Sequence, residues 1–210
     1  MFKYLISTLA TIVLMATVLS PALAANMNVG EVTRLQNAAT VTRQGQDTPL
    51  KLGSAIHEDD RINTGTDTRI EITFIDDTKL TIGESSQLAV EKYLFNPDKG
   101  IGTAILDAVK GPFRFITGQI GKMANKNVEV RTLVGTIGIR GTDFWGGPSL
   151  DIYGVLLLDG AISVKNSQGG RVLNTRGTGV NLLSDNEAPG EVTAWSDARI
   201  NAAVASVTFN

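Results

Sequence analysis

Residues equipped for chemistry are few in this chain, and they sit in a few short stretches. His57, the single histidine, lies in "SAIHEDDRI" beside Glu58, Asp59 and Asp60. A lone histidine can act as a general base, and adjacent carboxylates can orient it or bind a cation. Consecutive acids on an extended chain point to alternating faces, however. The glycine and the twelfth-position glutamate of a calcium loop do not follow. The stretch is therefore expected to be a solvated turn opening a strand at Arg61-Ile62-Asn63. Asp76-Asp77 has the same reading, as a solvated turn. There is no Gly-x-Ser-x-Gly, His-Glu-x-x-His or phosphate loop. The chain has no cysteine, which removes thiolate ligands and cysteine nucleophiles. These features point away from an enzyme, and no catalytic residue, metal ligand or cofactor site is expected.

A second group lies in "RTLVGTIGIRGTDFWG", Arg131 to Gly146. Strand alternation puts Ile137 and Ile139 on the core face, and Thr136, Gly138 and Arg140 on the other. A bend at Gly141 would let Arg140 meet Asp143 as an ion pair. Gly138, Arg140, Gly141, Thr142 and Asp143 are thus expected to form a structural motif pinning a strand end. In that case Arg140→Ala lowers stability first and binding only as a consequence. The alternative is capture of an anionic ligand by Arg140. In "FRFITGQIGK", Phe113 and Phe115 share a face and are expected in the core. Trp145, Tyr153 and Trp195 are the candidate binding residues, since aromatic rings can stack on a polysaccharide or small ligand.

The elements around these residues follow a period of two. Ile70, Ile72 and Phe74 alternate with Arg69, Glu71 and Thr73, and Leu80 and Ile82 resume the pattern after Asp76-Asp77. Asp159-Gly160 falls between two apolar runs and predicts a hairpin turn. Leu52, Ile62, Ile72 and Ile82 recur ten residues apart, a spacing that hints at stacked rungs. Phe95 to Gly111 departs from strand character. Near the C-terminus, Ile200, Ala203, Val204 and Val207 follow a helical period, with Ser196 as N-cap and Trp195 as anchor. This short amphipathic helix is expected to pack back on the strands. The fold class is all-β, with many short strands arranged as a solenoid-like stack, a β-roll or a sandwich, and a short C-terminal helix.

Compartment is set by the first residues. Lys3 precedes an apolar run from Leu5 to Leu19, and Ala22-Leu23-Ala24 closes it. The run is shorter than the roughly 20 residues a membrane span needs, so residues 1–24 read as a cleaved signal peptide. Residues 25–185 form the β-rich domain, and 186–210 a linker with the helix. No membrane span is expected after cleavage, and the protein is expected in the periplasm or secreted. Formal charge is −2 and no basic block occurs, which argues against a nucleic-acid partner.

Two long segments, "LKLGSAIHEDDRINTGTDTRIEITFIDDTKLTIGESSQLAVEKYLFNP" and "AVKGPFRFITGQIGK…VEVRTLVGTIGIRGTDF", carry a resemblance. Asp60, Phe74, Thr78, Leu80, Tyr93, Gly111, Phe113, Phe115, Gly118, Gly138 and Arg140-Gly141-Thr142 stand in the order found in FecR-type periplasmic domains. The resembling region runs from about Leu50 to Phe144. Asp77 departs from the pattern, since such domains carry Gly after the Asp of that turn. The resemblance implies a secreted, solenoid-like β module that recognises proteins and does not catalyse. Signalling members of the family carry a cytoplasmic anti-sigma segment and a membrane helix. Neither is expected here, so only the periplasmic module carries over. The expected function is a non-catalytic binding or scaffold module for an envelope protein or peptide. It would bind through an exposed strand edge or near residues 135–142. The alternative is an envelope polysaccharide or small-ligand binding protein.

Overall fold

The computed structural model describes residues 27–150 and 152–210. The expected signal peptide, residues 1–24, lies outside them. Alternation of apolar and polar side chains builds nearly every element, because successive Cβ atoms in a strand face opposite sides. In chain order the first strands are β1 (Asn28–Gln36), β2 (Ala39–Arg43), β3 (Gln46–Pro49), β4 (Ala55–His57), β5 (Arg61–Thr64), β6 (Arg69–Phe74), β7 (Lys79–Ile82) and β8 (Gln87–Asn96). Then come β9 (Ile101–Lys110), β10 (Phe113–Ile116), a 3-10 turn at Gln119–Lys122, β11 (Asn125–Thr132), β12 (Gly135–Ser149) and β13 (Ile152–Asn166). β14 (Gly169–Leu173), β15 (Thr178–Leu182), β16 (Thr193–Ala194) and the helix α1 (Asp197–Ala205) complete the chain.

All sixteen strands join one sheet, in the order β3-β2-β5-β8-β9-β11-β12-β10-β7-β6-β1-β4, with β13 to β16 branching from β12. Neighbours are antiparallel except β9 and β11. The sheet curls strongly into a half-barrel. Its concave face closes on Ile56, Ile62, Ile70, Ile72, Leu80, Phe113, Phe115 and Phe144, all fully buried. Each such side chain contributes about 1.5–3 kcal/mol by leaving water. The class is therefore mostly β with one short C-terminal helix, as the periodicity indicates.

Three local expectations differ. The ten-residue spacing does not mark rungs. Ile62 lies between Val41 and Leu88, Ile72 between Val32 and Leu80, and Leu52 is 66% exposed. Phe95 to Gly111 holds a full strand, β9, whose buried positions are Gly102, Ala104, Leu106 and Ala108. Three of those four are too small to give a hydrophobic signal. Asp159-Gly160 is not a hairpin turn, because β13 runs straight through it. Gly160 has φ +82 and sits where β12 breaks register between Ile139 and Thr142. A Cβ at Gly160 would lie 2.3 Å from the Gly141 carbonyl oxygen. The positive φ that favours a turn serves a β-bulge equally well.

The tightest polar knot joins the β6–β7 turn to the far side of the sheet. Asp76 is fully buried, and among the described residues its carboxylate has no cation beside it. Oδ1 accepts from the Tyr93 hydroxyl at 2.5 Å and the Thr78 N–H at 3.2 Å. Oδ2 accepts from the Thr78 hydroxyl at 2.7 Å and the Ile120 N–H at 2.8 Å. The Asp76 carbonyl accepts from the Gln119 N–H at 2.7 Å. Four donors replace the water the carboxylate lost, which makes its burial tolerable. Gly118 lies directly on the turn, and a Cβ there would come within 2.2 Å of the Asp76 carbonyl oxygen. Tyr93 also stacks flat on Phe74, ring centroids 4.2 Å apart. Asp77 has φ +65.

Asp76→Asn tests this knot. The hydroxyls can rotate to accept, but the backbone N–H groups of Thr78 and Ile120 cannot. One of them must then face the new amide N–H₂. The expected loss is about 1–3 kcal/mol, the penalty of an unsatisfied buried donor. Urea unfolding reads it as a lower midpoint with an unchanged slope; an unchanged midpoint contradicts it.

Candidate functional site

A polar cluster does form around His57, the arrangement an enzyme would need there. Asp60 is fully buried and takes the Arg43 fork at 2.6 Å and 2.7 Å. Its Oδ2 also accepts from the His57 backbone N–H at 2.8 Å. The His57 Nδ1 lies 3.8 Å from the same oxygen and makes no hydrogen bond among the described residues. Glu58 accepts from the Tyr93 N–H at 2.7 Å. Among the described residues no group of three His, Cys, Asp or Glu side chains is placed to hold a metal. Asp60 and Asp76 are thus not solvated. In each turn the neighbouring residue, Asp59 or Asp77, takes a positive φ and folds the chain back over the carboxylate. Arg43 also donates to the Ala55 carbonyl at 3.2 Å. The ion pair therefore occupies two backbone groups of β4, one end of the sheet path. The other end, β3, is short, exposed and closed by Pro49, which has no N–H. Both ends are poor templates for an added strand.

On β12 the motif residues separate. Asp143 pairs with Arg114, not Arg140: Oδ1 is 2.8 Å from Nε and Oδ2 is 2.6 Å from Nη2. The hydrogen bond to Asp143 raises the Arg114 pKa further above its usual range, against burial. Gly141 does bend the chain, at φ +93, but the bulge leaves Arg140 exposed and without an ion pair among the described residues. Thr142 is buried, and its N–H donates to the Thr117 hydroxyl at 3.0 Å. Gly138 makes room for Ser163, whose Oγ would lie 2.7 Å from a Cβ there. Arg114 is 29 residues from Asp143, and only the β10–β12 pairing brings them together.

The aromatic candidates are largely inside. Trp145 is 1% exposed and Trp195 6%, so neither offers a stacking face. Tyr153 is half-buried with its hydroxyl enclosed and without a hydrogen-bond partner among the described residues. Trp145 projects from the convex face of β12, opposite Phe144 in the core, and α1 covers it. Its Nε1 donates to Ser206 Oγ at 3.0 Å, and its ring meets Trp195 edge-on at 6.1 Å. Gly154 and Gly179 leave the slot for the Trp195 indole, since a Cβ on either would come within 2.7 Å of it. Ala203 and Val207 complete this second cluster with Leu156. Ser196 caps the helix by accepting from the Arg199 N–H. The helix packs back on the strands with Trp195 as anchor, as its sequence predicts.

Comparisons with known proteins agree with this architecture. A family model described as FecR protein matches residues 60–170. Two crystal structures of a "putative anti-sigma factor" from Parabacteroides distasonis ATCC 8503 share the fold, each with a TM-score of 0.52 and 14% identity over 69% of this chain. The aligned part covers 64% and 63% of those chains, so this protein spans a little under two thirds of their length. A structure described as "Cell surface anchoring domain" aligns with a TM-score of 0.29 and 34% identity, over 29% of this chain and 82% of that one. No curated protein matches.

Two outcomes follow from the geometry. Arg114→Ala is expected to cost about 1.5–3 kcal/mol, the range for a hydrogen bond to a charged group. Arg140→Ala is expected to stay within about 0.5 kcal/mol, as at other exposed sites. Equal losses in denaturant unfolding would place the pin elsewhere. Burial raises the pKa of both Tyr93 and Tyr153, helped at Tyr93 by the Asp76 charge. Their stability contribution is complete below the ordinary tyrosine value near 10 and is lost as pH rises above it, where the unfolded chain ionises first. Tyrosinate absorbance from these two residues should appear together with loss of the β-sheet circular dichroism. Ionisation well ahead of unfolding contradicts the burial.

Proposed function

The chain belongs to the FecR protein family, and on that premise we propose that it is a non-catalytic extracytoplasmic module that recognises a protein or peptide of the cell envelope. The observation that carries this reading is where the chemically able side chains end up. Asp60 and Asp76 hold turns, Asp143 holds a strand pair, and Glu58 holds the Tyr93 N–H. These groups are committed to shape. The signal-peptide pattern of residues 1–24 and the family domain both favour a periplasmic or secreted location. Among the described residues no helix is long and apolar enough to cross a membrane. A polysaccharide-binding role has less support, because Trp145 and Trp195 lie under the helix and not on a surface. The Parabacteroides protein is described as a "putative anti-sigma factor". For this chain that likeness favours a role in protein recognition, with the partner in the envelope.

Photo-crosslinking of the tagged protein in living envelope is the test. A single protein adduct that disappears when the fold is broken by Asp76→Ala is the expected result. A well-folded sample that captures glycan and no protein would sink the proposal.

A further inference from the structure

At the rim of the α1 layer, stability has been given up in one spot. Leu150 sits at the β12–β13 turn with φ +53 and is 79% exposed. A left-handed conformation costs a branched L-residue about 1–2 kcal/mol, and Asn or Gly is the usual occupant of such a turn. Leu150 therefore carries both backbone strain and an apolar side chain in water. Backbone strain of this kind gathers where a ligand is clamped.

Leu150 borders a groove of about 350 Å³ between the turn and α1, with Trp145, Pro148, Ala202 and Ala203 along its apolar lining. Arg199 lines the same groove. Its guanidinium lies 3.5 Å above the Trp195 ring. Nε donates to Ser149 Oγ at 2.9 Å and Nη2 to Asn181 Oδ1 at 2.7 Å. Both partners are neutral, and Nη1 has none among the described residues. Arg43, Arg114 and Arg171, by contrast, each meet a carboxylate. Burial lowers the Arg199 pKa, the sign of a cation that has lost water without gaining a counter-charge among the described residues. An immobilised guanidinium with a free edge is built to take a carboxylate at little entropic cost.

We propose that this groove docks a peptide segment of a partner protein that carries a carboxylate beside a large apolar side chain. The apolar side chain lies against Pro148, Leu150 and Ala202, and the carboxylate takes the open edge of Arg199. The proposal rests on the protein-recognition reading and adds the surface and the chemistry of what it binds.

The probe is a displayed library of random seven-residue peptides, selected on the purified protein. Enriched peptides are then measured by fluorescence anisotropy. The expected sequences carry Asp, Glu or a free C-terminus next to Leu, Ile, Met or Phe. Arg199→Gln should weaken them at least tenfold, and so should replacing the peptide carboxylate by its amide. Arg199→Gln also removes contacts that hold α1, so a second variant is needed. Leu150→Asn relieves the positive φ and touches no core side chain. It should raise Tm while weakening binding at least tenfold, a pair of signs that simple damage to the fold does not produce. Enriched peptides without the acidic–apolar pairing overturn the groove assignment, as do peptides indifferent to both variants; the recognition module then stands with its surface elsewhere. If no peptide is enriched and the envelope crosslinks also yield no protein, both readings fall together.

Discussion

A carboxylate buried without a cation has to be surrounded by donors, and Asp76 obtains them from three separated parts of the chain. The β6–β7 turn supplies Thr78, β8 supplies Tyr93, and the 3-10 turn supplies Ile120. None of these can move far without leaving charge in a medium that solvates it poorly. The half-barrel is curled, and a curled sheet with free ends has no closure of its own to hold its shape. Asp76 ties the turn of one hairpin to a strand on the other side of the core. The apolar interior gains from any compact arrangement; the carboxylate is satisfied by one.

The same device recurs with less isolation. Asp60 fastens β4 to the β2–β3 hairpin through Arg43, and Asp143 fastens β12 to β10 through Arg114. In each case the acid sits at a turn or bulge, where the ladder of backbone bonds is interrupted and side chains must take over. The Arg43–Asp60 pair also uses two backbone groups near the end of the sheet path, which blunts an edge that would otherwise recruit another strand. This explains how acidic turns can be rich in charge and still present little reactive surface. Of the residues that carry the family resemblance, Thr78, Tyr93 and Gly118 all crowd around Asp76, so the resemblance is in good part a record of this knot.

Two layers then divide the work. The concave face is closed by Ile, Leu and Phe side chains of the sheet itself. The convex face of β12, β13 and β15 would be exposed without α1, and Trp145 and Trp195 are the joint between them. Full burial of its apolar side chains marks the first layer. The rim of the second holds a strained leucine and an arginine whose partners are neutral. A protein that only had to fold would have little reason to keep either.

Alternation of side chains along the sequence determined a great deal. It placed Ile70, Ile72, Phe74, Phe113, Phe115, Ile137 and Ile139 in the core. A helical period and a serine cap located α1 and its Trp195 anchor. These are properties of consecutive residues, where the geometry of a strand or helix decides which side chains share a face. What lies across from that face is another matter. Arg140 is three residues from Asp143, yet the carboxylate went to Arg114, which β10 brings beside it, while Arg140 stays exposed. Asp60 and Asp76 look like solvated acids until Arg43, Tyr93 and Ile120 arrive over them. Trp145 looks like a binding platform until α1 folds onto it. Local sequence sets the direction a side chain points, and only strand pairing across the sheet sets what it meets, since that pairing joins residues tens of positions apart.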